Sequence, residues 1–165
     1  MAEVFYSLIR NMALPRIKVA KDKAELVQKL LEQKSSTGMF STYADVVAFA
    51  ASLGIKRDRR SPFTEVSQNE PAPISLEVFI SRGYERLIQL IAVVTTEDIK
   101  VLSMDDAAET ERVKIFEEYA NGGLAYLQQE LRGAVDYTDR LILILNAERF
   151  SKETSDEEFD LSRFL

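Results

Sequence analysis

The sequence predicts a mainly α fold, a compact helical domain with one short strand near its N-terminus. Three observations point there. Apolar residues recur at helical spacing through most segments after residue 20. Capping residues and Gly or Pro stops bracket those segments. One stretch, Arg16-Ile17-Lys18-Val19, instead alternates polar and apolar side chains. The chain has 165 residues, 46% of them hydrophobic and 29% charged, enough for one domain with a core.

Val4, Phe5, Leu8, Ile9 and Met12 share a helical face, so a short helix is expected over residues 3–13, ended by Pro15. The alternating stretch 16–19 reads as a half-buried strand, with Ile17 and Val19 inward and Arg16 and Lys18 outward. Asp22 and Glu25 have the spacing of a cap and its partner ahead of a helix whose face is Ala24, Val27, Leu30 and Leu31. Ser35 to Gly38 reads as a loop. A second helix follows, capped by Ser41 with Phe40 as the staple, or by Thr42 with Asp45 as the carboxylate partner. It carries Val46, Val47, Phe49, Ala50 and Leu53, and Gly54 is a plausible stop.

Residues 56–73 hold Pro62, Pro71 and Pro73 and read as a long polar loop. A short helix is expected from Ser75 to Gly83, then another from Tyr84 to Val94, although Ile91-Ala92-Val93-Val94 also suits a strand. Asp105 to Ala120 reads as a helix interrupted by Asn121-Gly122-Gly123 and resumed from Leu124 to Leu131. Tyr137 to Phe150 is the last helix. Its apolar run Leu141–Leu145 suits the bundle centre or a dimer interface. The expected organisation is one helical domain over 1–150. Within it lie a basic strand-helix-helix subregion (16–60), a linker loop (61–73) and an acidic helical body (74–150). An acidic tail follows over 151–165.

Charge is split along the chain. Residues 1–60 hold 11 Lys/Arg and 6 Asp/Glu, a balance of +5; residues 61–165 hold 10 and 21, a balance of -11; together they give the net -6. A basic part on an acidic body suits a phosphate contact, or contact between copies. The chain has no Cys and no His, which removes disulfides, thiolate nucleophiles, cysteine zinc sites and imidazole acid–base chemistry. No cofactor is expected. The N-terminal segment lacks the pattern of a secretory signal and no apolar run is long enough to span a bilayer, so the expected compartment is the cytoplasm, without membrane contact.

Four candidate sites emerge. The first is the unit 16–53, laid out like a ribbon-helix-helix. In that arrangement two strands pair across a homodimer and enter the major groove of double-stranded DNA. Arg16 and Lys18 would be the readers, and Ser41 and Thr42 would hold phosphate at a helix N-terminus. The plainer alternative is an edge strand with a solvated face. The second is Lys56-Arg57-Asp58-Arg59-Arg60, where four cations in five residues suit DNA phosphates. The same block equally suits a clamp onto the acidic second half, or a solvated helix exit. The third is a carboxylate group, Asp105, Asp106, Glu109 and Glu111, with Glu117 and Glu118 further along. Its spacing matches no metal loop, and the helix dipole explains acids at a helix start. The fourth is Tyr119-Ala120-Asn121-Gly122-Gly123, whose successive amides could cradle an anion, with a helix-breaking turn the preferred reading.

Thr42 to Gly54 with Lys56-Arg57-Asp58-Arg59-Arg60, and Ile115-Phe116-Glu117-Glu118-Tyr119-Ala120-Asn121-Gly122-Gly123-Leu124, resemble two signatures of the Dnd system-associated protein 4 family, over most of residues 16–133. The resemblance implies a place beside bacterial DNA phosphorothioation, where sulfur replaces a non-bridging phosphate oxygen, and its linked restriction of invading DNA. It implies no catalytic residue. Two functions are therefore expected. One is an accessory DNA-binding or regulatory protein that uses Arg16, Lys18 and the Lys56–Arg60 block. The other is an adaptor that holds other Dnd-system proteins and does not touch DNA. A metal-dependent nuclease has only the carboxylate group behind it, without Lys or His support.

Overall fold

The computed structural model describes residues 15–32 and 39–156, with side chains as far as 149. The helix expected over 3–13 lies outside the described residues. Among the described residues, two short strands, β1 (Arg16–Ile17) and β2 (Ile74–Ser75), accompany six α-helices: α1 (Ala24–Glu32), α2 (Tyr43–Lys56), α3 (Leu76–Ser81), α4 (Glu85–Thr96), α5 (Asp106–Glu130) and α6 (Tyr137–Asp156). The fold is mainly α, as the apolar spacing predicts.

The centre is the crossing of α2 and α5. Both helices are buried nearly all round there, the mark of a core helix rather than a surface one. From α2, Ala44, Val46, Val47, Ala48, Ala50, Ala51 and Leu53 enter the core. From α5, Val113, Ile115, Phe116, Tyr119, Ala120, Leu124 and Leu127 do. Asn121-Gly122-Gly123 does not break α5, which runs unbroken through it. Gly123 lies at the crossing instead, while Gly122 and Asn121 pack under the chain that leaves α2, a Cβ on Gly122 overlapping the Arg59 carbonyl and Asn121 donating to that of Ser61 at 2.9 Å. A Cβ on Gly123 would overlap the Ala50 carbonyl oxygen, and one on Gly54 would overlap that of Tyr119. Glycine here permits backbone contact between two helices, and this packing outweighs its weak helix propensity. Gly54 likewise is not the stop of α2, which runs on to Lys56.

Thr42 caps α2 and forms a capping box with Asp45, while Phe40 packs on Phe49 with ring centroids 5.3 Å apart. Asp22 does not cap α1. It pairs with Lys23 within a 3-10 turn, Lys21–Lys23, and Glu25 pairs with Lys29 one helical turn on. Asp105 caps α5 by accepting from the Ala108 amide at 2.9 Å. Ile91 to Val94 is helical, the third turn of α4.

β1 pairs antiparallel with β2 of the same chain, Arg16 opposite Ser75 and Ile17 opposite Ile74. Ile17 and Val19 are buried and Arg16 and Lys18 exposed, as the alternation predicts. One edge of the strand that a ribbon would pair between two copies is therefore taken by β2 of the same chain. The 56–73 loop is tied along its length. Ser61 donates its amide to the Glu118 carbonyl at 3.0 Å, Lys21 to Glu65 at 2.9 Å and Ser67 to Val19 at 2.9 Å. Finally, α6 does not lie at the bundle centre. Leu141 and Ile144 are buried, but Ile142, Leu143 and Leu145 face outward.

Candidate functional site

The basic block leaves the C-terminus of α2 and folds across the middle of α5. Asp58 takes a left-handed backbone (φ 50°), which turns the chain back, and the Arg59 amide closes the turn on the Gly54 carbonyl at 2.8 Å. The cations that follow meet the protein's own acids. Arg60 donates through Nε to Glu118 Oε2 at 2.6 Å. Lys56 Nζ lies 2.8 Å from Glu148 Oε2 on α6, and Arg57 binds the other oxygen, Oε1, of the same carboxylate. Arg57 also stacks on the Tyr126 ring, 4.5 Å from its centroid, and donates to its hydroxyl at 3.0 Å. Arg59 sits 5.3 Å from the same ring and donates to Gln129 at 3.2 Å. Both carboxylates are well enclosed, the Glu118 side chain 9% and that of Glu148 13% exposed, while Lys56, Arg57 and Arg60 remain 52%, 37% and 38% exposed. The clamp onto the acidic half is thus made within the chain.

The other four residues expected to meet DNA do not join this cluster. Arg16 donates to the Pro73 carbonyl at 3.2 Å, across the small sheet. Lys18 gives its backbone N–H to Glu117 Oε1 at 2.7 Å, leaving its side chain exposed. Ser41 and Thr42 lie at the N-terminus of α2, where phosphate was expected. A carboxylate is there already. Asp45 Oδ2 accepts the Thr42 amide at 2.9 Å, the Ser41 amide at 3.2 Å and the Thr42 hydroxyl at 3.0 Å.

Asp45 also gathers two residues that spacing alone did not single out. Arg82 binds it through two nitrogens, Nε at 2.7 Å and Nη2 at 2.8 Å, and the Tyr84 hydroxyl donates at 2.7 Å. Burial raises the Asp45 pKa, but hydrogen bonds from Arg82, Tyr84 and Thr42 outweigh it and hold the carboxyl at about 2. The hub borders a cleft of about 420 Å³ whose apolar wall is Phe40, Phe49 and Leu87. With both oxygens saturated by donors, Asp45 joins α2 to the turn between α3 and α4; it is not poised to move a proton. The capping spacing Thr42–Asp45 was readable; the partners 37 and 39 residues away were not.

Glu117 contrasts with Asp45. Burial raises its pKa, and the Lys18 amide and charge only partly offset this. Asp105, Asp106 and Glu111 at the start of α5 stay exposed and Glu109 is half-buried, and among the described residues no group of three Asp or Glu could hold a metal ion. Among them too, no helix is long and apolar enough to cross a membrane. The arrangement around the basic block provides ionic and stacking contacts.

No curated protein and no solved structure gives a significant match to this chain. The family described as DNA sulphur modification system-associated protein 4 matches residues 16–164, spanning both the basic block and the α5 glycines, and the chain belongs to that family.

Proposed function

We propose that this protein is an adaptor associated with a DNA sulphur modification system, working by holding partner proteins rather than by catalysis. One observation carries the reading. The basic block is closed onto Glu118 and Glu148, while α6 turns Ile142, Leu143 and Leu145 to solvent. Cations already neutralised contribute little counterion release on DNA, whereas an apolar helix face rimmed by charge suits a protein partner.

A DNA contact or regulatory role through the same block is the second reading. It is favoured by Lys56 and Arg57 sharing one carboxylate while remaining substantially exposed, so a phosphodiester backbone can compete for them. Arg16 and Lys18 would extend that contact; Ser41 and Thr42 would have to release Asp45 to take part. One pair of measurements separates the readings. The protein is titrated with matched duplexes, with and without phosphorothioate linkages, across a salt series, and is co-purified with the other proteins of its system. The adaptor reading expects a stable protein complex and weak duplex binding. Tight, steeply salt-dependent duplex binding with no protein complex would overturn it.

A further inference from the structure

We infer that the end of α2 and the face of α5 beside it form a seat for a helix that presents two apolar anchors and a glutamate on one face, and that α6 is the occupant this chain supplies in cis. The seat takes apolar side chains at two positions three apart and a glutamate four further on. This extends the adaptor reading, on which it rests, to a kind of partner: a helix with the same pattern, offered in trans.

The pattern is read from α6 itself. Leu141, Ile144 and Glu148 stand at i, i+3 and i+7, one face of a helix, the spacing by which amphipathic helices anchor in grooves. Leu141 is 2% and Ile144 6% exposed, and both belong to the main core cluster. The glutamate is gripped by a fork built on the body. Lys56 takes one oxygen and Arg57 the other. Arg57 is also held by the ring and hydroxyl of Tyr126 on α5, a support on the body that does not depend on α6. Such prior orientation lowers the cost of binding.

Only one face of α6 is used, and Ile142, Leu143 and Leu145 on the others stay exposed. Its tether to α5 is short and turns at Gly133, which has φ 77°. A second ion pair, Arg140 with Glu130 at 3.0 Å, lies next to that tether and anchors the start of α6.

The test uses the full chain and, as probe, a fluorescein-labelled peptide of residues 137–156, followed by anisotropy. In E148Q protein the cis helix loses its grip while the seat is intact, so the peptide should bind about tenfold or more tighter than to wild type. Binding should vanish when K56E/R57E is added to that variant, and when the peptide itself carries E148K. The I144A protein repeats the test through the apolar anchor, should E148Q disturb the fold by circular dichroism. A folded variant that fails to bind the peptide, or binding indifferent to K56E/R57E, overturns the seat. So does duplex DNA binding to E148Q in place of the peptide, which would make the fork a phosphate site. Because the probe comes from the chain itself, the seat can stand or fall whether or not the system's other proteins bind.

Discussion

Asp45 and Glu117 are two enclosed carboxylates with opposite consequences. Asp45 is held down to about 2 because three side chains donate to its charged form against the cost of burial. A carboxylate with a lowered folded pKa stabilises above its unfolded pKa and loses that contribution as pH falls through the folded value. Stability should therefore drop as pH falls from about 4 to 2, and D45N should flatten that part of the curve in denaturant titrations. D45A removes the capping-box partner of Thr42 and both Arg82 contacts, a loss of roughly 2–4 kcal/mol at pH 7. Glu117 has the reverse sign. Its pKa is raised by burial, so its contribution is full below the unfolded pKa and is lost as pH rises through the folded one. Glutamine keeps an acceptor for the Lys18 amide without the buried charge. E117Q should raise Tm by about 2–4 °C at pH 7, the shift expected for ~1 kcal/mol in a chain of this size, and by little at pH 4. A lower Tm at pH 7 would mean that the Lys18 charge outweighs burial.

Packing between elements decides what the glycines mean. In an exposed helix, Gly to Ala gains about 1 kcal/mol of propensity. At the α2–α5 crossing the same change puts a methyl group into the Ala50 carbonyl, and two core helices must separate. The overpacking cost, about 3 kcal/mol or more, wins. G123A should lower stability measurably in urea, whereas a gain would show that the crossing can relax. This is also where reading the sequence reached its limit. Caps and stops such as Thr42 and Gly83 depend on chemistry within three or four residues, and the α2 capping box was one of the two readings, Ser41 or Thr42, that the spacing allows. Asn121-Gly122-Gly123 reads as a break because its reason for being helical is a carbonyl some 70 positions earlier in the chain. The partner of β1 is hidden for the same reason, lying 57 residues away in a two-residue strand with no alternating run of its own. The basic block was legible as a cluster, and the clamp was one of its readings, but Glu118 and Glu148 could not be picked from among 21 acids in the second part of the chain.

At the scale of the whole molecule, the division of charge between residues 1–60 and 61–165 is partly satisfied by folding. The basic N-terminal part lies on the acidic remainder through Arg60–Glu118, Lys56 and Arg57 with Glu148, and Lys21–Glu65. These contacts are unequal. Lys21 and Glu65 are 3.7 Å apart and largely exposed, so they contribute little. Arg60 meets an enclosed carboxylate at 2.6 Å, and losing it leaves Glu118 charged without its cation. A fully buried pair broken on one side costs about 3–5 kcal/mol, and the 38% exposure of Arg60 brings this down to about 1–3. R60E should cost at least that much, because it sets two carboxylates against each other, and adding E118R should recover more than half of the loss. That recovery is the coupling expected if the charge split serves the fold. If R60E leaves stability within about 0.5 kcal/mol of wild type, the range of an ordinary surface change, Arg60 is not needed by the chain itself. The block would then be held ready for a ligand outside it, and duplex DNA would become the stronger assignment. Stability of R60E with and without E118R, measured beside duplex binding by the same proteins, therefore separates a cation used for folding from one kept for a partner.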